Sequence, residues 1–310
     1  MKLAFVFPGQ GSQTVGMLAG WAGNPAIDAA MQRASTALGQ DLGALVEQGP
    51  AEELNLTVNT QPVMLACSVA MYDAWRQAGG RQPEVMAGHS LGEYSALTAA
   101  GTFSLEDAVR LVRIRASAMQ DAVPVGTGGM AAILGLDDET VLAVCSEAST
   151  DTIVEAVNFN APAQVVIAGH KDAVQRACDL AKAKGAKRAL LLPVSAPFHS
   201  RLLEPAAVVL QQALGQLTLN MPTAEIINNV DVAVATSTHA IADALVRQAW
   251  HPVRWVETIR AMKARGVTHV VECGPGKVLA GLIKRIEPEL VTVSVNDQAS
   301  LDAALAQINA

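Results

Sequence analysis

Charge is scarce in this 310-residue chain. Only 16 % of its residues are Asp, Glu, Lys or Arg, and 22 cationic side chains face 29 anionic ones, for a formal net charge of −7. No block of Lys or Arg occurs, and the pI is near 5.4, which argues against a nucleic-acid-binding surface. Aromatic residues make up 4 %, so stacking platforms for bases or sugars are not expected. The four cysteines (Cys67, Cys145, Cys178, Cys273) form no CxxC pair, and the six histidines lack zinc-ligand spacing. Reduced thiols, a cytoplasmic setting and no metal are the expectation. Membrane-length apolar runs are also missing. Although 51 % of the residues are apolar, the charge-free stretch 54–72 is broken by Asn55, Asn59, Gln61 and Pro62. It falls short of the about 18 consecutive apolar residues that a spanning helix requires. The apolar run 3–7 is too short for a signal-peptide core. A chain of this length can bury roughly three quarters of its unfolded surface, in one large core or two smaller ones.

What is present is an alternation of strands and helices, the mark of an α/β fold. A strand at 2–7 ends in the Gly-rich loop Pro8-Gly9-Gln10-Gly11-Ser12-Gln13. Helices are expected over 25–38 and 60–78, the second stopped by Gly79-Gly80. A short strand at 85–87 runs directly into Gly88-His89-Ser90-Leu91-Gly92 and a further helix. Ser104 and Asp107 resemble a capping box that opens a helix reaching 121. Residues 124–195 then read as strand (130–136), helix (138–149), strands (153–158, 164–168), helix (171–184) and strand (188–194). That βαββαβ order is ferredoxin-like, and it predicts a small domain at 124–195 inserted into a larger one made of 1–123 and 196–310. The larger unit resumes with a helix after His199, helices at 239–249 and 255–265, and a strand at 268–272. A Gly274-Pro275-Gly276 turn, another helix, a strand at 290–295 and a terminal helix follow.

The sharpest chemical signal is the GxSxG at 88–92. Two glycines between a strand and a helix permit a strained turn that lifts the Ser90 hydroxyl above the sheet edge. The N–H of Leu91, at the start of the following helix, can stabilise an oxyanion. A serine nucleophile needs a base. His199 is the preferred candidate, because it lies where the chain leaves the small domain, at a junction that favours a cleft. His89 sits beside the serine with its side chain expected to point away, and His170 starts a helix in the small domain. The acids between Ser90 and His199, such as Asp107, Asp121, Asp137 and Asp151, all have helix-start or loop explanations. No acid stands out, so a dyad oriented by a backbone carbonyl is plausible, because the third member's task is to fix the imidazole tautomer. On the helix opened by Ser104, residues Ala108, Leu111, Arg115 and Ala118 share one stripe. An arginine on an apolar stripe needs an anion, either an internal carboxylate or that of a substrate.

Together these segments resemble a known family. Pro8-Gly9-Gln10-Gly11-Ser12-Gln13, Gly88-His89-Ser90-Leu91-Gly92-Glu93-Tyr94, Asn158-Phe159-Asn160-Ala161-Pro162 followed by 164–169, and Glu272-Cys273-Gly274-Pro275-Gly276 occur in one order. The chain is similar over essentially its whole length to the malonyl-CoA:acyl carrier protein transacylases of bacterial fatty-acid synthesis. The acyltransferase domains of polyketide synthases belong to the same family. The resemblance implies an α/β-hydrolase-like large domain with a ferredoxin-like insert. It implies Ser90 as nucleophile, His199 as base, Arg115 as reader of the substrate carboxylate, and the backbone N–H groups of Gln10 and Leu91 as oxyanion donors. It also implies that the backbone carbonyl of Gln248 orients the histidine, which would account for the missing acid.

Phe198 departs from the serine often found before that histidine in discrete enzymes. It resembles malonyl-selective polyketide domains, where it should narrow the pocket, to which Asn160 would also contribute. The implied partners are malonyl-CoA and an acidic acyl carrier protein, with no resident cofactor. Docking an acidic carrier on an acidic protein calls for a local basic patch, for which Lys182, Lys184, Lys187, Arg188, Lys284 and Arg285 are candidates. Other readings are a polyketide or malonate-decarboxylase acyltransferase, or a serine thioesterase with water as acceptor. No feature asks for an obligate interface, so a monomer is expected.

Overall fold

The computed structural model describes residues 1–194 and 196–309; Ser195, at the expected domain boundary, and Ala310 lie outside them. The strands are β1 (Leu3–Phe7), β2 (Val85–Gly88), β3 (Gly128–Leu134), β4 (Val154–Ala161), β5 (Gln164–His170), β6 (Arg188–Leu191), β7 (Glu225–Ile226), β8 (His269–Cys273) and β9 (Val291–Val295). They form two sheets, ordered β7-β2-β1-β8-β9 and β4-β5-β3-β6. The first sheet is wholly parallel. Its middle strand β1, Leu-Ala-Phe-Val-Phe, is buried at all five positions. A parallel strand covered on both faces reads as a continuous apolar run rather than an alternation. Phe5 and Phe7 pack edge-on against Tyr72 of the helix Thr57–Gln77, and that helix fills one face of the sheet with the helices Pro25–Leu38 and Leu105–Asp121. The helices Trp255–Ala264 and Val278–Ile286 cover the other face.

The second sheet is antiparallel throughout. One face packs on the helices Asp138–Ala148 and Lys171–Ala183 through Ile133, Val141, Val165, Ile167 and Val174. The opposite face presents Met130, Val157, Val166 and Ala168, with Leu192, Val194 and Phe198 packed against them. Strand β4 is bulged between Ala156 and Asn158 and again between Phe159 and Ala161. There it pairs with the segment just before the helix Trp255–Ala264, Phe159 N–H donating to Val253 O (3.0 Å) and Val253 N–H to Val157 O (2.9 Å).

Most expected elements appear within a residue or two of their predicted bounds. The capped helix Leu105–Asp121 is one case, its Ser104 Oγ accepting from Asp107 N–H at 3.1 Å. Among the elements not foreseen are the short helices Leu42–Gln48 and Ala51–Leu54 and the two-residue edge strand β7. All three are too short to show a period. Strand β6 ends at Leu191 instead of 194, because the chain peels away at Pro193, which has no N–H to give, toward His199. No helix among the described residues is long and apolar enough to cross a membrane.

Candidate active site

Three motifs distant in sequence emerge at the carboxyl ends of the adjacent strands β2, β1 and β8. In open parallel sheets this is the edge where ligands bind. The loop after β1 and the turn after β2 are locked by His89 N–H donating to Phe7 O at 3.0 Å. Gly88 and Gly92 leave no alternative side chain. A Cβ on Gly88 would lie 1.8 Å from the Gly92 carbonyl carbon, and one on Gly92 would lie 2.0 Å from Phe7 O. Gly274, at φ 147°, similarly lets the loop after β8 approach Pro8, where a Cβ would sit 2.6 Å from the proline ring. That loop is held by Glu272, whose buried carboxylate caps the helix Val278–Ile286 through Leu279 N–H (2.9 Å) and Ala280 N–H (2.7 Å).

Ser90 occupies φ 54°, ψ −109°, a conformation L-residues adopt only when the surroundings impose it. The imposed geometry aims its hydroxyl at His199: Ser90 Oγ is 2.7 Å from His199 Nε2. His199 Nδ1 lies 2.8 Å from the backbone oxygen of Gln248. A carbonyl can only accept, so Nδ1 carries the proton and Nε2 is free to take one from serine. That carbonyl is available because Gln248 is the last residue of the helix Thr238–Gln248, where backbone oxygens have no intrahelical donor. None of the acids weighed from the sequence reaches His199. Asp107 bonds Ser104, and Asp137 caps its own helix by accepting from Thr140 N–H. Burial, followed by the nearby Arg115 charge, pushes the His199 imidazole down to about 3, so it is neutral at pH 7.

Arg115 is 2 % exposed and forms no ion pair among the described residues. Its guanidinium donates to three neutral oxygens: Gln61 Oε1 (2.8 Å), Gln248 Oε1 (3.0 Å) and Ser90 Oγ (3.2 Å). It lies 5.2 Å from the centroid of the Tyr94 ring, and its Nε has no hydrogen-bond partner. The internal-carboxylate alternative therefore does not describe this arginine. Burial lowers its pKa, with Glu93 and Tyr94 opposing, and a guanidinium stays charged even so.

A cavity of about 620 Å³ opens over these groups, lined on one side by Gln10, Ser90, Leu91, Arg115 and His199. On the other side it is lined by Met130, Asn160, Val166, Leu192 and Phe198, most of them from the second sheet. Phe198 is half-buried and packs against both apolar clusters that meet at the cleft. Asn160 Oδ1 is 2.7 Å from His89 Nε2, so His89 is turned away from the serine hydroxyl, as expected. Burial lowers the His89 pKa as well. Gln10 lines the cavity, and its side-chain Nε2 donates to Thr57 Oγ1 (2.9 Å). His170 accepts from Ile153 N–H in the second sheet and plays no part here.

Of the basic candidates, Lys182, Lys187, Arg188 and Lys284 are exposed. Lys184 is paired with Glu147 at 3.0 Å. Arg285 is tied to Gln164 Oε1 and to Pro162 O (2.9 Å). The sequence reading missed Gln61, Glu93 and Asn229 as parts of the site. Glu93 could have been singled out, as the one carboxylate in the otherwise apolar opening of the helix Leu91–Ala99. Asn229 carries no signal, lying in a loop 139 residues beyond the serine it contacts.

A family model for the acyl transferase domain matches residues 4–295. The chain belongs to this family. It is 56 % identical over 305 residues to the malonyl CoA-acyl carrier protein transacylase of Escherichia coli (strain K12), covering 98 % of this chain and 99 % of that one. Among solved structures it superposes with TM-score 0.97 on an acyl-carrier-protein S-malonyltransferase from Burkholderia pseudomallei 1710b, at 63 % identity, covering 99 % of this acyltransferase and all of that chain. A malonyl-transacylase in complex with a type II polyketide acyl carrier protein matches with TM-score 0.98 at 52 % identity, over 99 % and 100 % of the two chains.

Proposed function

We propose that this acyltransferase moves a malonyl group from malonyl-CoA to the phosphopantetheine thiol of an acyl carrier protein, through an ester on Ser90, in the supply of fatty-acid elongation. The observation that carries the reading is Arg115: a buried guanidinium with only neutral partners, 3.2 Å from the candidate nucleophile and open to the cavity. Burying a charge with no carboxylate in direct contact costs several kcal/mol, and a substrate carboxylate arriving beside Ser90 offsets it. The names of the matched relatives support the same substrate and acceptor.

In this reading His199 takes the Ser90 proton as the oxygen attacks the thioester carbonyl. The N–H groups of Gln10 and Leu91 hold the developing oxyanion, each contributing roughly 3–4 kcal/mol in comparable sites. His199 then returns the proton to the CoA sulfur as the C–S bond breaks. The carrier thiol reverses the sequence: His199 accepts its proton, the sulfur attacks the ester, and Ser90 Oγ leaves with that proton. Phosphopantetheine arrives on the partner, so no resident cofactor is needed. Phe198 and Asn160 shape the acyl end of the pocket. The strand order β4-β5-β3-β6, with two helices on one face, supports an inserted ferredoxin-like domain at 124–195. The remainder forms an α/β-hydrolase-like domain, with the cleft between the two. For carrier docking the structure favours Lys187, Arg188 and Lys284 over the engaged Lys184 and Arg285.

Intact-protein mass spectrometry after mixing with malonyl-CoA tests the reading. A stoichiometric malonyl adduct on Ser90, discharged by holo carrier protein and only slowly by water, is the expected result. No adduct on the wild-type chain sinks it, and rapid release of free malonate would favour a hydrolase. The pH dependence is a second check. Because the folded imidazole titrates near 3, the basic form is fully populated above about pH 5. The acylation rate should therefore be level from about pH 5 to 8 and decline only as acid approaches the lowered value. A midpoint near the ordinary histidine value would contradict a desolvated base.

A further inference from the structure

Ser90, His199 and Arg115 are each one residue removed from a single buried carboxylate. Glu93 is the third residue of the helix Leu91–Ala99 and is 2 % exposed. Its Oε2 accepts two hydrogen bonds, from Asn229 N–H and from Gln248 Nε2, both at 2.9 Å. Asn229 in turn clamps the strained turn. Its Oδ1 accepts from Ser90 N–H and its Nδ2 donates to Gly88 O, both at 2.8 Å. Gln248 uses every polar group it has. Its Nε2 also donates to Ser90 O (2.9 Å), its Oε1 accepts from Arg115, and its backbone oxygen holds His199.

We propose that Glu93 is a positioning residue for acyl transfer, holding Asn229 and Gln248 in the one arrangement that sets the nucleophile, its base and the carboxylate reader together. The inference rests on the reading of Ser90 as the acylated residue. Its physical basis is that Ser90 sits in a backbone conformation costing of order 1–3 kcal/mol, which persists only where surrounding contacts over-determine it. The two side-chain clamps on that conformation, at Ser90 N–H and Ser90 O, run through residues that the Glu93 carboxylate touches, beside the Glu93 backbone N–H that also donates to Ser90 O (3.0 Å). Without the acceptor, Gln248 Nε2 loses one of two partners, and its side chain is held only by Ser90 O and Arg115. The acceptor that Gln248 Oε1 offers Arg115 is then less firmly placed, and the Asn229 backbone N–H is left buried and unsatisfied. What the site requires of Glu93 is reach and an acceptor oxygen. Both of its contacts are N–H donors converging on Oε2, which an amide oxygen can accept as well, and burial raises the carboxyl pKa to about 7.

The test compares Glu93→Gln with Glu93→Asp. Glutamine keeps an acceptor at the same reach without the charge; aspartate keeps the charge but withdraws the oxygens by one methylene. Single-turnover acylation by malonyl-CoA is measured per folded molecule, folding being checked by circular dichroism and thermal unfolding. Glu93→Gln should stay within about 5-fold of wild type, and Glu93→Asp should lose about 30-fold or more in the single-turnover rate at saturating malonyl-CoA, where a loss reports misplaced chemistry and not weaker binding. Asn229→Ala provides an independent probe of the same clamp and should resemble Glu93→Asp. Equal rates in both Glu93 variants, or a loss in Glu93→Gln that matches or exceeds that in Glu93→Asp, overturn the proposal. A wild-type protein that forms no Ser90 adduct would instead overturn the functional reading, so the two failures are distinguishable.

Discussion

Arg115→Ala is expected to lower kcat/KM for malonyl-CoA by about 10²–10³-fold while acetyl-CoA loses no more than about 10-fold. The asymmetry follows from what the guanidinium touches. Its standing partners, Gln61, Gln248 and Ser90, are neutral and are present whatever the acyl group. Breaking one side of a buried ion pair costs about 3–5 kcal/mol, and only malonyl brings the second charge. Acetyl transfer loses only the looser placement of Gln248 and the hydroxyl. Arg115→Lys should restore little, since an ammonium cannot reproduce the planar fork that pairs with a carboxylate. Competing the two CoA esters against each variant gives the ratio directly. Equal losses on both would deny Arg115 the role of carboxylate reader, whatever its contribution to the site.

His199→Ala should reduce the single-turnover acylation rate by about 10³–10⁴-fold with the protein still folded. Among the described residues the imidazole is the sole acceptor within hydrogen-bond reach of the Ser90 proton, since the other group on that oxygen, Arg115 Nη2, is itself a donor. No carboxylate among the described residues bonds that oxygen. Gln248→Ala makes the informative contrast. The backbone carbonyl that holds Nδ1 survives that substitution, whereas the side-chain bonds to Arg115, Ser90 O and Glu93 do not. Its loss should thus be smaller than that of His199→Ala. Rapid-quench measurement of the acyl-enzyme reads both, and a His199→Ala rate above one tenth of wild type would remove the histidine as base.

How much of this could be read along the chain varies with the range of the interaction. The elbow was legible because its cause is local: a strand, two glycines that no Cβ can replace, and a helix start. The Ser104 cap and the stripe carrying Arg115 were legible for the same reason, through spacings of three and four residues. Strand β7 was not, because two residues have no period and pair only where β2 offers a free edge. Asn229 was invisible because its function depends on reaching back 139 residues to one N–H group.

The sequence by itself determined the α/β class, the succession of elements, the serine in its strained turn and the arginine placed where charge is costly. It also left a real ambiguity, whether an acid or a carbonyl orients the base and whether Arg115 meets an internal or an external anion. Only the tertiary structure decided those points. The terminal carbonyl of one helix is set against His199, and around Arg115 there are neutral oxygens in place of a carboxylate. Hydrogen bonds are satisfied within about 3 Å in space, irrespective of distance along the chain, so the partners of a buried polar group are chosen by packing. Local spacing can place a charged side chain on a buried face; it does not say what that face will meet.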